Sequence, residues 1–348
     1  MSGVGVLLAD IGGTNARFAL AHPGDSPPLL ADSIETFQVE AFASLADAAR
    51  HYLDGRDAQV RDAVFAVAGR VDGDEARITN HPWVISIERT RRALDLEHLQ
   101  MVNDFAAQAM AVSLLDHTDV AQVGSARWPG HDVGVGDDGR DRTYAVIGPG
   151  TGLGVGALLR RNGQYHALQT EGGHVSFAPG TPEEIGVLQR LSGEFGRVSN
   201  ERLVSGGGLV NLHRALSAMA GGEEAHGSPG PLRPEDITAR AIDGDARCLH
   251  TIDVFCAVFG AAAGDLVLTL GAWDGVFLTG GVVPRVMPWL AHSGFRHRFE
   301  HKGRFSPAMA TVPTLAVTHP HPGLLGAAAL ARQLPQAPAQ ALPGYTQA

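Results

Sequence analysis

The chain has 348 residues, 44% hydrophobic and 18% charged, with a formal net charge of −10. That length exceeds what one simple core organises, so two domains are expected, and the acidic balance leaves no electrostatic footprint for nucleic acid or an anionic membrane. Its two cysteines, Cys248 and Cys256, form no CxxC pair, which excludes a zinc ribbon or a disulfide framework and fits a reducing compartment.

The opening MSGVGVLLAD has no basic n-region and no long apolar h-region, so it does not read as a signal peptide. No uninterrupted apolar run approaches the roughly 20 residues of a membrane span, and a cytoplasmic protein is expected. VGVLLAD and ARFALA flank DIGGTN too closely for a crossover helix and predict a hairpin, with a third strand near Ile34–Val39. A helix is expected over Ala43–Leu53, a buried strand over 62–69, and strand and turn over 78–87. Leu99–Val102 predicts a strand, followed by a helix from about Phe105. Residues 128–142 read as a polar, Gly-rich loop. The run from Arg142 to Leu168 then repeats the opening pattern: strand, a turn at Gly148–Gly152, strand, an Asn162–Gly163 hairpin turn, strand. Two strand–glycine turn–strand units suggest a duplicated α/β domain whose turns face a shared cleft. The second half is mainly helical from Pro182 to Leu270, with a loop at 220–234. A strand closes on Gly280–Gly281, a helix begins near Pro284, another covers 323–334, and a Pro/Ala/Gln tail ends the chain.

The glycines carry the first chemical signal. Backbone N–H groups approach phosphate oxygens only where no Cβ intervenes. Gly12–Gly13–Thr14 and Gly150–Thr151–Gly152 both meet that condition, each with a threonine hydroxyl as a further donor. Asp10 stands beside the first turn. It either bonds its own turn or faces a phosphate across a Mg²⁺ ion, held directly or through water. Asn103–Asp104 reads equally as a helix N-cap and as an Asp at the C-terminal end of a strand, where it would accept a hydroxyl proton in phosphoryl transfer. Glu171, His174 and Glu201 suit the recognition of sugar hydroxyls better than a zinc site.

In order, the chain contains DIGGTNAR, TNHPW, VNDFAAQAMA, GPGTGLGVG, EGGHVSFAP, ERLVSGGGLVNL, GVFLTGGVVPR and HPGLLG. As an ordered set covering about Leu7 to Leu334, they closely resemble the bacterial ATP-dependent glucokinase family of the enteric type, within the actin-like ATPase and hexokinase superfamily. The resemblance implies a two-domain actin-like ATPase (ribonuclease H-like) fold of duplicated mixed-sheet domains around a central cleft. The small α/β domain would take residues 1–114 plus 319–334, the large one 115–318, and a disordered tail 335–348. It implies transfer of the ATP γ-phosphoryl group to the 6-hydroxyl of glucose, in the cytoplasm, by a homodimer. Asp104 takes the catalytic-base position. Asn80, Asn103, Asp104 itself, Glu171, His174 and Glu201 match sugar ligands. Asp10, Gly12, Gly13, Thr14 and Asn15 match the first phosphate motif, with Mg²⁺ at Asp10 through water. Gly150, Thr151 and Gly152 match the second, and Gly280 and Gly281 the adenosine motif.

Pro149 departs from the small residue usual in the second turn and removes one N–H donor there; Arg70 departs where an apolar residue is common. A related sugar-kinase family that includes repressors carries a cysteine-rich zinc motif where this chain reads VSFAPGTPEE, so no structural zinc is expected. No DNA-binding helix pair is expected ahead of Asp10 either. The rival readings are a kinase of another hexose, such as mannose or an amino sugar, and a non-catalytic actin-like nucleotide switch.

Overall fold

A computed structural model describes residues 5–56, 58–78, 83–130, 139–221 and 232–335. In its first part, β1 (Gly5–Ile11), β2 (Asn15–Ala21) and β3 (Leu29–Gln38) precede α1 (Leu45–Asp54) and β4 (Val60–Val67). A small meander follows, β5 (Gly69–Asp72), β6 (Glu75–Ile78) and β7 (Val84–Ser86), then α2 (Ile87–Ala93), β8 (His98–Asn103) and α3 (Asp104–Ala111). The remainder comprises β9 (Val120–Gln122), β10 (Arg142–Pro149), β11 (Leu153–Arg161), β12 (Gln164–Thr170), α4 (Pro182–Phe195), α5 (Gly206–Met219), α6 (Pro234–Ile242) and α7 (Ala246–Leu270). It closes with β13 (Gly275–Leu278), α8 (Val283–Leu290), α9 (Phe295–Glu300), α10 (Ser306–Met309), β14 (Thr314–Val317) and α11 (Pro322–Ala331).

The first sheet has the order β3-β2-β1-β4-β8, and the second β12-β11-β10-β13-β14-β9. Each begins with an antiparallel meander and continues through parallel strands: β1 pairs with β4 and β4 with β8, as β10 pairs with β13 and β13 with β14. The predicted duplication is therefore present strand for strand, and β9 is an antiparallel addition to the second sheet.

Side-chain alternation sends each central strand into two cores. Leu7, Ala9 and Ile11 of β1 pack with Leu45, Ala48 and Tyr52 of α1. Val6 and Leu8 pack on the opposite face with Leu324, Ala327 and Ala328 of α11. In β10, Ala145 and Ile147 join Phe255 and Phe259 of α7, whereas Tyr144 and Val146 join the same central core as Val6 and Leu8. That central layer consists of α3 and α11. The helix after β8 packs on β11 and β12 of the second sheet, and the helix after β14 packs on β1 and β4 of the first. Gly326 permits the crossing, since a Cβ there would lie 1.7 Å from the Ala107 carbonyl oxygen.

α7 is long and apolar enough by length and composition to cross a membrane, but 72% of its most apolar window is buried inside the fold. It is a core helix, capped by the Asp245 side chain and ended by Gly271 in the left-handed region.

Several elements differ from expectation. Within 78–87, where strand and turn were expected, Val84–Ser86 is a short strand, and the helix α2, capped by Ser86, starts at Ile87 and runs beyond that range. The β5–β6 hairpin and the short strands β9 and β14 were not anticipated. Gly69 begins β5 and touches β6, where a Cβ would fall 1.9 Å from the Arg77 oxygen. The Asn162–Gly163 turn is present, both residues having positive φ (51° and 78°). Residues 222–231 of the loop expected over 220–234 and residues 131–138 of that over 128–142 fall outside the described residues, as does the tail from 336 onward.

Candidate active site

The first glycine turn connects the last register pair of β1 and β2, Ile11 with Ala16. Gly12 uses its own N–H to close the turn on the Asn15 oxygen at 2.9 Å, and the Asn15 side chain is held by Gln38 at 2.8 Å. The second turn repeats this, with Gly150 N–H on the Gly152 oxygen at 2.8 Å. The N–H groups of Gly13, Thr14, Thr151 and Gly152 take no hydrogen bond among the described residues. Each turn thus leaves a pair of backbone donors without an acceptor among the described residues.

Asp10 is the penultimate residue of β1, beside the N-terminal turn of α11. A Cβ on Gly323 would lie 2.7 Å from the Asp10 Cγ. Burial pushes the Asp10 carboxyl above its usual range, and Arg17, 3.6 Å away, opposes that shift only in part.

Of the two sequence readings of Asn103–Asp104, the N-cap belongs to Asn103, and Asp104 directly follows the last residue of β8. Asn103 is the N-cap: its Oδ1 accepts from the N–H groups of Phe105 (2.9 Å) and Ala106 (3.3 Å). Its amide donates to the Gly69 oxygen at 3.0 Å, so this side chain is largely committed to structure. Asp104, the first residue of α3, does not cap. Its carboxyl is pushed up to about 7, first by burial, then by the negative charge of Asp10, with Glu171 adding a smaller push. The N–H groups of Phe105 and of Asp104 itself act in the other direction. Asp10, Asp104 and Glu171 therefore share one electrostatic neighbourhood.

Glu171 precedes the short 3-10 turn Gly172–His174 and is exposed. Another such turn, Asn200–Arg202, brings Glu201 to the base of the second glycine turn. Glu201 Oε2 accepts from Leu153 N–H at 2.9 Å, and its Oε1 lies 3.9 Å from His174 Nδ1. Gly206, at the start of α5, donates to the Gly150 oxygen at 2.8 Å. Gly280, with φ of 87°, packs on Pro149, whose oxygen accepts from Val282 N–H at 3.0 Å. Pro149 thus joins the second glycine turn to the Gly280–Gly281 turn. Gly281 has open space where a Cβ would stand.

Asn80 lies outside the described residues. Arg70 makes an exposed ion pair with Asp72 at 3.0 Å on β5. Among the described residues no group of three or more His, Cys, Asp or Glu side chains is arranged to hold a metal.

Sequence reasoning missed the residues that bring the site together. Gly154 admits the Phe105 ring, which a Cβ would meet at 1.9 Å, and Gly156 faces the same helix. Glycine at every second position (152, 154, 156) was the available signal, since it strips one strand face for close approach. Arg17, Gly323, Gln108 and Thr279 carried no such mark.

A family model described as Glucokinase matches residues 7–334. A glucokinase of Stenotrophomonas maltophilia (strain K279a) is 64% identical over 326 residues, 94% of this chain and 94% of the relative. The crystal structure of a glucokinase from an Antarctic psychrotroph superposes with a TM-score of 0.82 at 35% identity, covering 94% of this chain and 98% of that one. A ROK family glucokinase from Streptomyces griseus, solved with glucose and AMPPNP, superposes with a TM-score of 0.61 over 94% of this chain and 99% of that one. At 21% identity the latter likeness concerns the fold alone.

Proposed function

The chain belongs to the glucokinase family, and on that premise we infer that it transfers the γ-phosphoryl group of ATP to the 6-hydroxyl of D-glucose, giving glucose 6-phosphate and ADP. The observation that carries this reading is Asp104. A carboxyl at about 7 is matched to removing a hydroxyl proton near neutral pH. It opens a helix beside Asp10 and Glu171, as a base facing the sugar O6 requires.

Glucose is bound by Asn80, Asn103, Glu171, His174 and Glu201, the carboxylates accepting from hydroxyls and the imidazole donating or accepting. The nucleotide phosphates lie between the first turn (Gly12, Gly13, Thr14, Asn15) and the second (Gly150, Thr151, Gly152). Gly280 and Gly281 flank the adenosine. The donor pairs at Gly13–Thr14 and Thr151–Gly152 meet the phosphoryl oxygens as negative charge spreads over them, and Asp104 receives the O6 proton late in the transfer.

Two raised carboxyls, Asp10 by burial and Asp104 by burial and the charge of Asp10, with Arg17 3.6 Å from Asp10, fit a divalent cation accompanying the nucleotide. Asp10 would hold Mg²⁺ through water, and the ion when bound supplies neutralising charge to the phosphates. The small domain is residues 1–114 plus 319–334 and the large one 115–318. The protein acts in the cytoplasm as a homodimer at the head of glycolysis.

The deciding experiment crosses a panel of hexoses with ATP, ADP and polyphosphate and measures the sugar 6-phosphate formed. Glucose with ATP is expected to give the highest kcat/KM. Faster turnover of mannose or an amino sugar would move the assignment to another hexose. ADP release that ignores sugar altogether would indicate a nucleotide switch.

A further inference from the structure

Gln108 lies one helical turn beyond Asp104 on α3, so the two share a face. Its Oε1 accepts a hydrogen bond from Thr279 Oγ1 at 2.7 Å, between residues 171 positions apart. Thr279 is 3% exposed and immediately precedes Gly280–Gly281. It has almost no freedom to move. Its N–H donates to the Ile147 oxygen at 2.9 Å, and its backbone lies where a Cβ on Gly148 would fall, 2.6 Å from the Thr279 oxygen. At the other end, α3 is held by the Phe105 ring over Gly154 and by Ala107 against Gly326. The bond therefore joins two tightly packed bodies. One carries the base; the other carries the turn assigned to adenosine and the root of the second phosphate turn.

We propose that the Gln108–Thr279 hydrogen bond is a positioning link that sets Asp104 relative to the nucleotide's phosphates. Neither residue touches substrate. Thr279 follows the nucleotide turns, Gln108 follows Thr279, and Asp104 moves with Gln108 on one rigid helical turn. The proposal rests on the sugar-kinase reading of the site. A bond that merely satisfied a buried hydroxyl would influence stability and leave the chemical step alone. Losing a positioning link lowers kcat while glucose, held by other residues, binds as before.

The test uses Thr279→Val and Gln108→Leu, which keep volume and remove the bond, their double variant, and Thr279→Ser, which keeps the hydroxyl. For each, kcat, the KM for glucose and Tm are measured. Each single variant is expected to lower kcat about three- to tenfold, the range of one neutral hydrogen bond, with the glucose KM changed less than about twofold. The double variant should fall no further than the worse single one, and Thr279→Ser should stay near the parent. Unchanged kcat in the single variants, a double variant equal to the product of the two losses, or failure of Thr279→Ser to retain activity would each overturn the link. If Thr279→Val does not fold, Gln108→Leu against Thr279→Ser decides alone. A parent protein that phosphorylates no hexose would instead overturn the underlying reading, and the parent control shows that separately.

Discussion

Glu201 accepts a hydrogen bond from the backbone N–H of Leu153 at 2.9 Å, and the Cα of Gly152 lies directly against the same carboxylate, leaving 2.4 Å for any Cβ. One side chain thus supports the second glycine turn while its other oxygen faces His174. Glu201→Ala would leave the Leu153 N–H without its acceptor, and the KM values for glucose and for ATP should both rise, each by about tenfold or more. Glu201→Gln retains an acceptor for Leu153, so its ATP KM should lie closer to the parent than that of the alanine variant. Steady-state kinetics with each substrate varied in turn checks this. An alanine variant with the parent ATP KM would separate Glu201 from the turn.

Asp104→Asn removes the proposed base and leaves the helix start intact, because Asn103 is the cap. Turnover should fall by about 10²- to 10⁴-fold. Calorimetry should still find glucose binding within a few-fold of the parent. In the parent, kcat/KM should rise with pH through about 7 as the carboxyl loses its proton. A flat profile between pH 6 and 8 would remove Asp104 from the proton transfer.

The same carboxyl links stability to pH. Its folded pKa, about 7, lies above the ordinary value of 3.8, so between those limits the folded protein holds a proton that the unfolded chain has released. Stability from this group is therefore lost as pH rises from about 4 through 7, and above 7 the folded state carries the full penalty of a buried charge. Asp104→Asn should melt at a higher temperature than the parent at pH 8, with the gap closing toward pH 4. Asp10, also raised, contributes with the same sign. Parallel melting curves for parent and variant across that range would contradict the shift.

Two glycines of α11 should respond differently to alanine. Alanine normally stabilises a helix by about 1 kcal/mol over glycine. At Gly326 the new methyl would meet backbone, the Ala107 oxygen at 1.7 Å, and the helices must separate. Gly326→Ala should lower stability by about 1–3 kcal/mol or more in denaturant titrations. At Gly323 the methyl meets a side chain, Asp10, so Gly323→Ala should reduce kcat/KM for ATP well before it reduces Tm. Equal stability losses at the two positions would show that Asp10 has no room to yield.

Much of this architecture is legible in the letters because the relevant signals are local. Both strand–glycine turn–strand units announce themselves through apolar runs that break at glycine, and the Ser44 and Thr181 helix caps sit where local chemistry needs them. The β5–β6 hairpin had a usable signal as well. Apolar and charged residues alternate on both sides of Gly73, which adopts positive φ. β9 and β14 had none: three or four residues become strands only because β13 and the rest of the second sheet lie beside them. The carboxylates could be nominated by type and position. The influence of Asp10 and Glu171 on Asp104 could not, because it depends on how α3 packs on β11 and α11, and that packing needs the absence of side chains at Gly154 and Gly326.

The exchange of helices between the sheets also bears on how the chain is made. One face of β1 and β4 is covered by α11, whose residues 322–331 are synthesised long after both strands. Until they emerge, Val6, Leu8 and Val64 have no α11 to bury them, however well formed their strands are. The N-terminal sheet therefore cannot mature as an independent unit on the ribosome. Its completion waits for α11, and a chain that stops short of Pro322 should be a substrate for chaperones and proteases.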